Sequence, residues 1–127
     1  MAPKRALICE DDGAIRALVK TVVRREGFDV DEAADGRVAI DKIRTDCFDL
    51  VILDLMMPEV DGYAVVDFLK ERGTANLKRV IVMTAATGAI KEEFPAPICT
   101  LLPKPFDIDQ LTSAVRHCAR ECDGVQA

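Results

Sequence analysis

The sequence predicts an α/β protein: a single doubly wound, five-stranded parallel sheet with helices on both faces. Three observations predict it. Five short apolar runs alternate with segments of helical periodicity. The middle run, Leu50-Val51-Ile52-Leu53, is uncharged between Asp49 and Asp54 and rich in branched side chains, as in a strand buried on both faces. Acids follow the first and third runs, a hydroxyl closes the fourth and a lysine follows the fifth. Those are carboxyl ends of parallel strands, where open α/β sheets place their ligands. Right-handed crossovers with helices on both faces require the sheet to reverse direction once.

The elements follow in order. Arg5-Ala6-Leu7-Ile8-Cys9 is the first strand, ended by Glu10-Asp11-Asp12-Gly13. Asp12 is placed to cap the helix that follows. That helix carries Ile15, Leu18, Val19, Val22 and Val23 as an apolar stripe, and Gly27 closes it. Phe28 to Ala33 alternates apolar and polar, which suits a strand at the sheet edge. Asp35 to Asp46 is a second helix with Val38, Ala39 and Ile43 on its apolar side. After the Asp54 strand, Pro58 and Asp61-Gly62 force a turn.

Tyr63 to Arg72 reads as a third helix and Arg79 to Thr84 as a fourth, buried strand. Thr87 to Phe94 has room for two helical turns before Pro95 and Pro97 stop it, so the fourth helix is short or irregular. Ile98 to Leu102 is the fifth strand. Pro103 at its end removes a ladder donor, which places this strand at an edge. A last helix from Asp107 repeats Ile108, Leu111, Val115, Cys118 and Cys122 at helical spacing.

Composition sets the bounds. The 127 residues make one domain, large enough to bury roughly two-thirds of the unfolded surface. No apolar run approaches the ~18 residues of a membrane span, and Met1-Ala2-Pro3-Lys4-Arg5 does not begin a secretory signal. We expect a soluble cytoplasmic protein with no membrane contact. The net charge of −5 argues against sequence-independent nucleic-acid binding, which needs a basic face. Five cysteines, an odd number, fit reduced thiols, with Cys9 and Cys99 as ordinary core residues. Cys118 and Cys122 lie one helical turn apart, but His117 falls about 100° round the helix from Cys118. A four-ligand zinc set is absent.

The strand ends carry the chemistry. Glu10, Asp11 and Asp54 crowd three carboxylates that cannot all stay ionised without a cation. Oxygen ligands select a hard ion, and a site with few protein ligands suits Mg²⁺ rather than Ca²⁺. Lys104 beside acids and metal makes sense if an anionic group comes and goes. A phosphoryl group on the Asp54 carboxylate fits, with Lys104 and Mg²⁺ neutralising its oxygens and the Thr84 hydroxyl donating to one more. Taken singly, each residue also reads as a turn acid or a surface lysine.

These residues resemble the receiver domain of two-component response regulators. The likeness rests on the acid pair in Leu7-Ile8-Cys9-Glu10-Asp11-Asp12, on Asp54-Leu55-Met56-Met57-Pro58-Glu59-Val60-Asp61-Gly62, on Thr84-Ala85 and on Lys104-Pro105-Phe106, from about Arg5 to Glu121. The resemblance implies the flavodoxin-like strand order 2-1-3-4-5 of chemotaxis receivers. It implies phosphorelay signalling, with Asp54 as acceptor from a phosphohistidine of a sensor histidine kinase or a histidine phosphotransfer protein, and output to a downstream effector. The whole chain, 1–127, would be that domain. Asp11 would bind Mg²⁺ directly, Glu10 through a water, and Met56 through its backbone carbonyl. Thr84 and Lys104 would contact the phosphoryl oxygens, and Lys104-Pro105 would be cis.

Such a domain catalyses its own phosphorylation and dephosphorylation without being a turnover enzyme. One departure stands out: receivers usually carry Tyr or Phe three residues before the lysine, and here that residue is Leu101. A receiver-fold interaction module with phosphorylation-independent output is the alternative. A hydrolase of the haloacid dehalogenase type also uses a strand-end Asp, but it needs a second acid two residues later, where Met56 stands.

Overall fold

A computed structural model describes residues 4–55, 62–84 and 98–126, with the side chains of 74–75 and 120–126 outside that description. The strands are β1 (Arg5–Cys9), β2 (Asp29–Ala33), β3 (Leu50–Asp54), β4 (Val80–Thr84) and β5 (Thr100–Pro103). The helices are α1 (Gly13–Arg25), α2 (Gly36–Thr45), α3 (Gly62–Glu71) and α4 (Ile108–Gln126), with a 3-10 turn at Thr74–Arg79 that the sequence pattern does not announce. All strand pairs are parallel and the order is β2-β1-β3-β4-β5. Both edge assignments hold. The expected segment at Thr87–Phe94 lies outside the described residues, as does Met56.

Alternation along each strand builds two cores. Leu7, Cys9, Val51, Leu53, Val80 and Val82 face α2 and α3, packing with Ala39, Ile43, Val65, Val66 and Leu69. Ala6, Ile8, Leu50, Ile52, Ile81 and Met83 face α1 and α4, packing with Val19, Val22, Val23, Leu111 and Val115. β3 is buried along its whole length, as its uncharged run predicts. The edge strand β2 buries only its last residue fully, matching its mixed pattern.

Three members of the expected apolar stripes face outward. Leu18 and Val38 are each 37% exposed and Ile108 is 48% exposed. A helical stripe wider than the sheet it covers leaves its border residues at the rim, and Leu18 lies there with Ile15 beside Pro105 and Phe106.

The caps are local and legible. Asp12 Oδ1 accepts from the Ala14 and Ile15 amides at 2.9 and 3.0 Å. Asp35 Oδ1 accepts from the Val38 amide at 2.9 Å. Asp107 and Gln110 form a reciprocal box at the start of α4: Asp107 Oδ1 accepts from the Gln110 amide at 2.7 Å, and Gln110 Oε1 accepts from the Asp107 amide at 2.9 Å. Gly27 follows α1 at φ 96°, a conformation that favours glycine.

One expectation is overturned. Cys99 and Cys118 are not reduced thiols; they form a disulfide that ties the start of β5 to α4. Sequence separation alone does not reveal that the edge strand lies over the buried face of the last helix. Cys9 is a buried free thiol, as expected, and burial pushes its pKa far up. Cys47 is an exposed free thiol.

Candidate functional site

The sheet changes winding direction between β1 and β3, because the chain leaves β1 towards β2 on one side and returns to β3 on the other. The carboxyl ends of these two strands diverge from their helices at that point and open a crevice. Glu10 follows β1 directly, with its amide donating to the Ala33 carbonyl at 3.0 Å. Asp54 is the last residue of β3, and the amide of Leu55 donates to the Met83 carbonyl at 3.1 Å, holding the strand end against β4. Thr84 ends β4, and its carbonyl accepts from the Lys104 amide at 2.7 Å, which aligns the lysine beside the same crevice.

Four of the predicted residues meet here. Lys104 Nζ lies 2.8 Å from Glu10 Oε1 and 3.1 Å from Asp54 Oδ2. Glu10 and Asp54 are almost fully buried. Glu10, Asp11 and Asp54 each offer a carboxylate oxygen within 4.8 Å of the others, a group able to hold a metal ion. Thr84 is buried at the end of the adjacent strand. Lys104-Pro105 is cis.

Gly62 shapes the seat of Asp54. A Cβ built there would stand 2.5 Å from the Asp54 carbonyl oxygen and 2.6 Å from Leu55 Cα. Both are backbone atoms and cannot swing aside, so only glycine lets the start of α3 pack so closely against the end of β3. The Gly62 amide donates to the Leu55 carbonyl at 3.0 Å across this contact.

Electrostatics follow from burial against partnership. Burial raises the Glu10 pKa to about 7; Lys104 and the Asp12 amide pull it down, and Asp54 pushes it up. Lys104 responds in the opposite sense. Burial lowers its pKa, but the hydrogen bonds and charges of Glu10 and Asp54 outweigh that, and the ammonium form is favoured. Three carboxylates against one ammonium leave two unbalanced negative charges when all are ionised. An all-oxygen donor set with that deficit fits a hard divalent cation.

Arg16 is a contributor that the sequence pattern does not single out. Its Nη1 donates to the Glu10 carbonyl at 2.7 Å and its Nε to Glu32 Oε1 at 3.2 Å, so it braces the loop that carries the acids. The only signal for it is a cation one helical turn after Asp12. Asp12 serves as the α1 cap.

A family model for the response regulator receiver domain matches residues 6–116. Response regulator MprA of Mycolicibacterium vanbaalenii is 35% identical over 120 residues, covering 93% of this chain and 51% of that protein. Sporulation initiation phosphotransferase F of Bacillus subtilis is 36% identical over 119 residues, covering 91% of this chain and 94% of that one. The chain therefore spans about half of the first relative and nearly all of the second. The crystal structure of response regulator TrrA from Thermotoga maritima in complex with Mg²⁺-BeF superposes with a TM-score of 0.79 at 28% identity, covering 91% of this chain and 98% of that one.

Proposed function

From the premise that this chain belongs to the response regulator receiver family, we propose that it relays a signal by accepting a phosphoryl group on Asp54. An Asp54 carboxylate oxygen attacks the phosphorus of a phosphohistidine, the P–N bond breaks, and the imidazole nitrogen keeps the electron pair. The observation that carries this reading is the buried Glu10–Lys104–Asp54 cluster at the switch point of the sheet.

Each residue has a part. Lys104 is poised over Asp54 and moves onto the phosphoryl oxygens as charge accumulates there. Thr84 donates its hydroxyl to another phosphoryl oxygen. Asp11 and Asp54 would hold Mg²⁺, with Glu10 acting through a water and the backbone carbonyl of Met56 as the remaining protein ligand. Bound Mg²⁺ supplies charge neutralisation for the transferring group. The acceptor turns over only its own phosphate, so the domain, residues 1–127, is a switch and not a turnover enzyme.

The donor is a sensor histidine kinase or a histidine phosphotransfer protein. Ile15, Leu18, Pro105 and Phe106 form an apolar surface that shares Lys104 with the site. A phosphohistidine-bearing domain seated there brings its ring to Asp54. The output goes to a downstream effector, without direct nucleic-acid binding by this domain. No described helix is long and apolar enough to cross a membrane. We place the domain in the cytoplasm, with its phosphodonor.

Acetyl phosphate and Mg²⁺ should add one phosphoryl group to the intact protein, read by mass, and Asp54→Asn should abolish it. An unchanged adduct in Asp54→Asn would show that another residue is the acceptor. No Mg²⁺-dependent adduct in the wild type would favour the interaction module with phosphorylation-independent output.

A further inference from the structure

We propose that Cys99–Cys118 is a reversible redox site, exchanging with low-molecular-weight thiols and disulfides, whose state sets how firmly the strand leading to Lys104 is tied to α4. The inference rests on the cytoplasmic receiver reading, because thiols there are held reduced and a disulfide that does form is transient or redox-sensing.

The bond's place in the fold is what gives it consequence. It joins two residues 19 apart with Cα atoms 6.0 Å apart, the ordinary span of a disulfide. Between them lie β5, Lys104, Pro105, Phe106 and the first turns of α4. β5 is a four-residue edge strand that pairs, among the described residues, with β4 alone. The Cys99 amide donates to the Val80 carbonyl at 2.9 Å, just before that pairing begins. Cys118 sits fully buried in the core that α4 shares with Leu102, Leu111 and Val115. The disulfide therefore welds a weakly held edge strand to a firmly packed helix. In the proposed function Lys104, held by Glu10 and Asp54 at rest, shifts towards the phosphoryl oxygens, and that shift would be felt at the carboxyl end of β5. With the bond intact, β5 and α4 move as one body; without it, β5 shifts alone.

The two sulfurs have different access. Cys99 is half-buried and Cys118 is enclosed. A small disulfide, RSSR, is attacked by the Cys99 thiolate, forming Cys99–S–S–R and releasing RS⁻. The Cys118 thiol loses its proton and attacks the Cys99 sulfur, closing the protein bond and releasing the second RS⁻. Two cysteine thiols are oxidised and RSSR is reduced to two RSH. Reduction runs backwards, with an external thiolate attacking Cys99 and Cys118 leaving.

The test uses the full chain equilibrated in reduced and oxidised glutathione, followed by alkylation and peptide mapping. We expect a Cys99–Cys118 cross-link that forms and breaks with the glutathione ratio, and a glutathione adduct trapped on Cys99 in Cys118→Ser. Amide exchange is then compared with and without Mg²⁺-beryllofluoride. The exchange of Thr100–Leu102 should change about tenfold in the reduced protein, with much less change in the oxidised one.

Both cysteines alkylated at every ratio would overturn the proposal. So would identical responses to beryllofluoride in the two redox states. Acetyl phosphate labelling of Asp54 in the same samples tests the receiver reading separately: labelling with an unresponsive disulfide refutes only the redox site. Absence of labelling in both states refutes the reading on which it rests. Cys99→Ser supplies a second reduced form should Cys118→Ser fail to fold.

Discussion

Two groups of acids and bases lie close together in this protein and behave in opposite ways. On the β2 side, Asp31 meets Lys42 and Arg5, and Glu32 meets Lys20 and Arg16. Each acid there has two cations, all in contact with solvent. Lys42 holds the Asp31 pKa below the usual carboxylate range, and Lys20 does the same for Glu32. In the crevice, three carboxylates share one ammonium, and burial drives Glu10 up to about 7. The same residue types thus make a satisfied surface network in one place and a charge deficit in the other. Among the described residues, it is the deficit that suits a hard cation.

The two groups differ most at Lys104, the one described cation in contact with both Glu10 and Asp54. Lys104→Ala should lower the rate of Asp54 labelling by acetyl phosphate about 100-fold, because the ammonium is lost from the developing charge. The same change should tighten Mg²⁺ binding in a calorimetric titration, since it removes a competing cation from Glu10 and Asp54. Weaker Mg²⁺ binding would mean that Lys104 organises the ligands instead of competing with their metal.

Asp11→Asn should weaken Mg²⁺ binding by roughly one order of magnitude or more, as a ligand charge is removed. The metal-free fold should be at least as stable in urea, since repulsion within the cluster is relieved. A marked loss of stability would make Asp11 structural first.

Acidity sharpens the contrast further. The folded metal-free protein retains the Glu10 proton between the ordinary value of 4.5 and about 7, where the unfolded chain has lost it. The unfolded state therefore binds fewer protons in that window, and the contribution of Glu10 to stability falls as pH rises through it. Mg²⁺ bound at this cluster would displace the proton, so affinity should rise about tenfold between roughly pH 6 and pH 8, with proton release on binding. Glu10→Gln should flatten both dependences. A wild-type affinity that stays level over that range would show that Glu10 is ionised throughout.

The smallest effect belongs to the surface network. Lys20→Ala leaves Glu32 paired with Arg16 and should cost only about 0.2–1 kcal/mol in urea melts, with Mg²⁺ affinity unchanged. A change in affinity would mean that the two groups are coupled through Arg16, which touches both Glu32 and the Glu10 carbonyl.

Much of this protein is written in short-range pattern. Alternation and helical spacing determine the strands and most of the helices, because burying a face demands a fixed period. Asp12, Asp35 and Asp107 mark helix starts since a capping bond spans only two or three residues. The acids and the lysine at the strand ends are legible for the same reason. What the tertiary structure alone decided is who meets whom. Lys104 reaches Glu10 across 94 positions and Asp54 across 50, a meeting set by the order in which the strands pair. Only burial in that assembled crevice raises the Glu10 pKa, while Asp31 and Glu32, in contact with water and two cations each, go the other way. Leu18 faces outward because the rim of the sheet ends beneath it. Cys99 finds Cys118 because β5 is laid against α4, a contact between elements that no local period encodes.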